Sequence, residues 1–243
     1  MGNRTSAKGK TATILSVGNE LLSGDVVDTN SAWLAKKLSA QGVLVEKMMV
    51  VGDDVEAISA ALKSSNSEFV FVMGGLGPTH DDITRYGVAK GVGKALERNE
   101  TAASVLTAMY GLNDSLLRMA DIPIGSEVIS NPVGAAPGFR VDNVIVLPGV
   151  PEEMKAMFEA IASSFRVENA IRAEEWVLTD KPEDEILDAL NEAVKIFTDV
   201  NIGSYPYLYG KGEEKGYKSR IKLLATDLDA LKRAKEWLEE RIC

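Results

Sequence analysis

Residues 74–84, GGLGPTHDDIT, carry three glycines, a proline and two adjacent carboxylates directly after the apolar run EFVFVM at 68–73. A short, almost wholly apolar segment rich in β-formers reads as a buried parallel strand. A glycine turn between such a strand and a helix suits phosphate. Glycine lets a ligand approach the backbone, and exposed N–H groups with the helix dipole attract the anion. Gly74, Gly75, Leu76, Gly77, Pro78 and Thr79 are therefore candidate substrate-binding residues. Carboxylates beside a phosphate repel it unless a divalent cation lies between them. Asp81 and Asp82 thus suggest a metal–phosphate ester site, with Asp82 the first choice as ligand; their competing reading is capping of the next helix. A carboxylate-held cation would neutralise a phosphoanhydride and activate water for its hydrolysis.

In open α/β sheets ligands gather at the carboxyl ends of the strands. Glu20 and Asp25 follow the first apolar strand, TATILSV at 11–17, so Glu20 is expected to face the same crevice as Asp82 and to share the metal. Asn30 and Ser31 either cap a helix or touch a base or ribose. NPVGAAPGF at 131–139 is low in side-chain bulk, so Asn131, Gly134, Ala136 and Gly138 read as a close backbone approach to substrate or as a structural corner. Gly149, in PGVP at 148–151, and Glu153 follow a further strand, VIVL at 144–147, on the same edge. Lys155 could balance phosphate charge, although a lone helical lysine is usually solvated. His80, the single histidine, reads as a hydrogen-bonding or solvent-exposed turn residue.

These loops need a frame. Strands at 11–17, 43–51, 68–73 and 144–147 alternate with helices at about 29–42, 55–64, 83–91, 100–110, 114–120 and 152–165. That alternation predicts an α/β fold, a three-layer α/β/α domain with a mostly parallel sheet. From about residue 170 the order becomes strand 176–178, helix 182–197, extended 201–209, polar loop 210–216, extended 217–225 and helix 227–241, a second, small α+β domain. The expected division is a disordered tail at 1–10, a first domain at 11–167 and a second at 168–243.

Composition narrows the class. With 45% hydrophobic and 26% charged residues the chain resembles an ordinary soluble protein. It has no apolar run long enough to span a membrane and no apolar signal-peptide core at its start, so a cytoplasmic protein is expected. The one cysteine, Cys243, allows no internal disulfide and no cysteine-based zinc site. A net charge of −9 argues against nucleic acid or anionic lipid as partner. A small anionic ligand would need a cation.

GNELLSGDVVDTNS, GGLGPTHDDITR, NPVGAAPGF and LPGVPEEM, in this order and spacing, closely resemble the competence-damage inducible protein A (CinA) family. Its N-terminal domain belongs with MoaB/MogA-like molybdopterin-binding domains. The strong resemblance covers about residues 11–165; the remainder resembles the small KH-like domain that follows in that family, chiefly through NIGSYP and SRIKLLATD. The resemblance implies loops that bind a nucleotide or pterin phosphate, and metal-dependent hydrolysis of ADP-ribose or related dinucleotide pyrophosphates. It carries over Asp82, Glu20 and the turn glycines as site residues, with Mg²⁺, Mn²⁺ or Co²⁺ as cofactor. Leu76 and Pro78 stand in a turn where adenylyltransferases of the wider group usually have threonine as third residue, which leans toward the CinA branch. Many CinA proteins continue into an amidase domain; the chain ends too early for one, so no amidase activity is expected. A homodimer is expected from the family's oligomers. No basic GxxG loop supports RNA binding by the second domain.

Three functions compete on this reading. They are a nucleotide pyrophosphatase, a molybdopterin-binding or molybdopterin-adenylylating protein, and a non-catalytic nucleotide-binding module.

Overall fold

The structure, a computed structural model, describes residues 10–167, 173–206 and 217–243. Residues 1–9 of the expected tail, the end of the extended segment at 207–209 and the polar loop at 210–216 lie outside the described residues. The chain divides into two compact units, one up to residue 168 and one from residue 169.

In the first unit the elements run β1 (Thr11–Val17), α1 (Asn19–Ser23), α2 (Thr29–Ala40), β2 (Leu44–Val51), α3 (Val55–Lys63), β3 (Phe69–Met73), α4 (Thr84–Val92), β4 (Leu96–Arg98), α5 (Glu100–Tyr110), α6 (Asp114–Leu117), β5 (Asp121–Pro123), β6 (Glu127–Ile129), β7 (Gly138–Val141), β8 (Val144–Leu147) and α7 (Pro151–Ile161). One six-stranded sheet has the order β2-β1-β3-β8-β7-β6. Its β2, β1, β3 and β8 are parallel, whereas β7 is antiparallel to β8 and β6 to β7.

β3 explains the layering. All five of its residues are buried, as a strand covered on both faces requires. Phe69, Phe71 and Met73 point to a core with Leu34 and Leu38 of α2 and Met154 and Phe158 of α7. Val70 and Val72 point to the opposite core, with Ile58 and Leu62 of α3, Val88 of α4 and Leu106 of α5. Phe71 packs edge-on against Phe158 and Phe165, and burial of a side chain that size contributes roughly 2–3 kcal/mol. The three-layer α/β/α arrangement is as expected.

Three features differ from the sequence reading. The loop after β1 contains the short helix α1, which ends on the left-handed Gly24. The cap of α2 is Asp28, whose carboxylate accepts the Ser31 N–H, so Asn30 and Ser31 do not supply it. The antiparallel pairs β4–β5 and β6–β7 occupy segments that carry no clear strand signal.

The second unit is β9 (Ala173–Thr179), α8 (Glu183–Ile196), β10 (Asn201–Pro206), β11 (Ser219–Ala225) and α9 (Leu228–Ile242). Its sheet, β10-β11-β9, is antiparallel throughout. Every second residue of β11 is buried, and Ile221 and Leu223 meet Ile186 and Leu190 of α8 and Leu231 and Leu238 of α9. This is the expected small α+β unit. Among the described residues, no helix is long and apolar enough to cross a membrane.

Candidate functional site

From β1 the chain crosses to β2 on one side; from β3 it continues to strands on the other side. The strand order therefore reverses between β1 and β3, where open α/β sheets form their ligand crevice. An open crevice of about 250 Å³ lies there. That is slightly below the usual small-molecule range of about 300–1,000 Å³, so a ligand of dinucleotide size would project beyond it.

Loops after four parallel strands build the walls. Gly18, Glu20, Asp28 and Asn30 follow β1, Asp53 follows β2, Gly74, Gly75, Asp81 and Asp82 follow β3, and Gly149 and Pro151 follow β8. Glu20 and Asp82 thus share one cavity. Among the described residues, five carboxylates line it (Glu20, Asp28, Asp53, Asp81 and Asp82), and no Lys, Arg or His does.

The turn after β3 is tightly determined. Gly74 has φ 106°, and its N–H donates to Leu147 O at 3.1 Å. A Cβ there would sit 2.2 Å from the carbonyl oxygen of Val17, so β1 and β3 approach at their ends as only glycine allows. Gly75, at φ 62°, accepts the Thr84 N–H at 3.2 Å. The N–H groups of Gly75, Leu76 and Gly77 find no acceptor among the described residues. Successive unpaired N–H groups around a left-handed residue form an anion-binding nest. The Leu76 side chain, 2% exposed, is a core anchor, so that residue offers only its backbone.

Asp82 closes this turn. Its Oδ2 accepts both the Thr79 N–H, at 2.9 Å, and the Thr79 hydroxyl. The helix cap is Ile83, with no side-chain cap bond, so neither Asp81 nor Asp82 serves the capping role. Asp81 is exposed, and its carboxyl is held below its ordinary pKa by Thr79, whose hydroxyl also bonds Asp82, and by its own backbone N–H. It therefore stays ionised at lower pH than a free aspartate. Gly77, Pro78 and Thr79 shape the turn without lining the crevice.

Beneath the turn lies Arg85, only 4% exposed. Its Nη1 donates to Leu76 O at 2.7 Å and to Gly77 O at 3.3 Å, and its Nη2 donates to Gly77 O and Asp82 O, each at 3.3 Å. Burial lowers its pKa, opposed by the charges of Tyr86, Asp82 and Asp121. Sequence reading missed this residue. The signal was there: Arg85 shares the stripe of buried Val88 and Ala89 at helical spacing.

On the opposite wall Asp28 accepts from the hydroxyls of Ser16 (2.8 Å) and Ser31 (2.6 Å) as well as the Ser31 N–H (2.9 Å). Both serines are buried. Asp28→Ala removes a cap and an acceptor for two buried hydroxyls, so it should cost about 2 kcal/mol. The urea midpoint should fall with the slope unchanged. Asn30 Nδ2 donates to Gly149 O at 2.7 Å and ties the first and last loops together across the crevice. Asp53 accepts the Asn19 N–H at 2.9 Å.

Other expected site residues lie elsewhere. Asn131 spends its amide inside its own loop: Oδ1 accepts from Val133 N–H and Gly134 N–H, and Nδ2 donates to Ala136 O and Glu153 Oε2. The site a Cβ of Gly134 would need is filled by the Glu153 carboxylate. Asn131, Gly134 and Ala136 are therefore a structural corner and do not line the crevice. Asp25 accepts from Ser23 Oγ at 2.6 Å, outside the lining. His80 is 98% exposed, and Lys155 does not reach the crevice.

Residues 13–166 match the family model described as "Probable molybdopterin binding domain". A protein of Archaeoglobus fulgidus is 40% identical over 229 residues, covering 93% of this chain and 96% of that one. The chain belongs to the molybdopterin-binding-domain family, in its CinA-like branch. A Pyrococcus furiosus protein is 40% identical over 254 residues, covering 95% and 96%. The crystal structure of a CinA protein of unknown function from Thermoplasma acidophilum is 40% identical with a TM-score of 0.63, and the likeness covers 65% of this chain and 100% of that one. Residues 173–243 match "FAD synthase, middle domain". This CinA-like chain thus joins a molybdopterin-binding-domain unit to a unit also found in FAD synthases.

Proposed function

We propose that the chain is a divalent-metal-dependent hydrolase of a nucleotide pyrophosphate, ADP-ribose or a related dinucleotide. The observation that carries this reading is a glycine turn with unsatisfied N–H groups at Gly75, Leu76 and Gly77, of which Gly75 lines the same crevice as the carboxylates of Glu20, Asp81 and Asp82. The first set suits phosphate oxygens, and the second suits a cation. Among the described residues a bare diphosphate would meet five carboxylates and no basic side chain, so it needs a cation with it.

The residues fit such an ion. Among the described residues no three His, Cys, Asp or Glu side chains converge into a ready cage. Mg²⁺-type ions need none, since they bind through one or two carboxylates, substrate phosphates and water. Asp28 is spent on Ser16 and Ser31, and one oxygen of Asp82 on Thr79. Glu20 and the second oxygen of Asp82 would hold the cation, and Asp81 adds negative charge beside it. When bound, it neutralises phosphate charge and acidifies a water molecule. The Gly75–Gly77 N–H groups orient the diphosphate and meet charge that develops on its oxygens. The Asn30–Gly149 bond keeps the two crevice walls in register.

The test is release of AMP from ADP-ribose, FAD or NADH by purified protein with Mg²⁺, Mn²⁺ or Co²⁺. No AMP from any pairing rejects the reading. The family match supports one other reading, molybdopterin binding or adenylylation, in which the same N–H groups hold the pterin's phosphate. Tight molybdopterin binding, or ATP-dependent adenylylation without pyrophosphate hydrolysis, would select it.

A further inference from the structure

We propose that Arg85 is a positioning residue for the ligand's phosphate, acting through the backbone of the glycine turn. This inference rests on the reading that the turn holds phosphate. Arg85 does not line the crevice; it lies under the turn and takes the carbonyls of Leu76, Gly77 and Asp82. A peptide whose carbonyl points inward to a guanidinium tends to present the neighbouring N–H outward. Leu76 O shares its peptide with the Gly77 N–H, one of the amides without an acceptor, whereas Gly77 O belongs to the peptide of Pro78, which has no N–H. Arg85 therefore fixes the orientation that leaves the Gly77 N–H available to a ligand, and holds the backbone of the turn on which the Gly75 and Leu76 amides lie.

The charge of Arg85 acts in the same direction. Among the described residues Arg85 has no carboxylate ion-pair partner within 4.0 Å. Its hydrogen-bond acceptors are neutral carbonyl oxygens, and among the described residues its Nε has no partner. Arginine stays protonated even when desolvated, so a full positive charge sits beneath a crevice whose lining has no cation of its own. In a medium of low dielectric such a charge is felt strongly by an anion bound above it. The buried hydroxyl of Thr84, which also lacks a partner, packs against Gly75 and leaves no room for the turn to collapse inward.

The experiment is a titration of the full chain with inorganic pyrophosphate in Mg²⁺, followed through the backbone amide resonances of Gly75 and Gly77. Wild type, Arg85→Lys and Arg85→Met are compared at a temperature where each is folded by circular dichroism. In wild type both resonances should shift and saturate. Arg85→Met, which keeps length and loses charge and donors, should bind at least about tenfold more weakly. Arg85→Lys keeps the charge but not the planar fork, so its affinity should fall between the two. A purely structural role would not order the variants by charge. Arg85→Met binding within twofold of wild type, or Arg85→Lys binding no better than Arg85→Met, overturns the proposal. If Arg85→Met does not fold, Arg85→Lys binding as wild type does overturns it alone. Wild-type resonances that never move would instead reject the phosphate reading of the turn, and the inference with it.

Discussion

Gly74→Ala should destabilise the first unit by about 3–5 kcal/mol and remove ligand binding with it. Two costs add. The residue sits at φ 106°, where an L side chain is strained by about 1–2 kcal/mol. The added methyl would lie 2.2 Å from Val17 O, and that oxygen belongs to the backbone of β1. A flexible side chain could swing aside; a strand in the middle of a six-stranded sheet cannot, because β2 and β3 pair with it on either side. Gly149 tightens the arrangement, since a Cβ on it would come 3.2 Å from Gly74 Cα. The control is Gly93→Ala. Gly93 has φ 71° at the end of α4, with nothing within 4 Å of the new methyl. It carries the backbone strain alone and should cost about 1 kcal/mol. Urea denaturation of the two variants, monitored in the full chain, separates the contributions. Equal midpoints for both would show that the approach of β3 to β1 relaxes without cost.

How much of this was legible in the sequence follows from the range of the interactions involved. EFVFVM announces a doubly buried strand by composition alone, and parallel strands send their following loops to one sheet edge, so Glu20 and Asp82 reach a common crevice. Local rules carry that far. They fail where one residue chooses between partners that only the fold brings near. Asp25 and Asp28 differ little as sequence, yet Asp28 meets Ser16 on the adjacent strand, while Asp25 meets only Ser23. Asn131 looks as free as Asn30. Its amide is consumed by its own loop and by Glu153, whereas that of Asn30 spans to Gly149, 119 residues away in the chain. Leu76 was counted with its neighbours in the turn, but its side chain belongs to the core. The three-residue strands β4, β5 and β6 are too short to show a period of two, and their pairing comes from tertiary contacts. Arg85 is not legible because a buried guanidinium without a carboxylate is rare; what satisfies its donors is a set of carbonyls that only the folded turn gathers.

The carboxylates separate charge from architecture. Glu20→Gln, Asp81→Asn and Asp82→Asn should each lower metal-dependent AMP release by about a hundredfold or more, since each removes charge where a cation must balance a diphosphate. The variants differ in what else they disturb. Glu20 and Asp81 are exposed and hold no other element in place, so their amides should leave stability nearly unchanged. Asp82→Asn keeps an oxygen for the Thr79 N–H and hydroxyl, so the turn persists while the charge goes. Asp82→Ala loses both and should also cost about 1–2 kcal/mol of stability. Raising the cation concentration should recover part of the Glu20→Gln loss if that residue contributes affinity, whereas lost water activation would not recover. Turnover and thermal unfolding measured on all four variants decide between the roles. If Asp82→Asn turns over as wild type does while Asp82→Ala is inactive, Asp82 serves the reaction only by closing the turn, and the cation rests on Glu20 and Asp81. If none of the three amide variants slows the reaction, none of these three charges takes part, and the reading of a cation held by them fails.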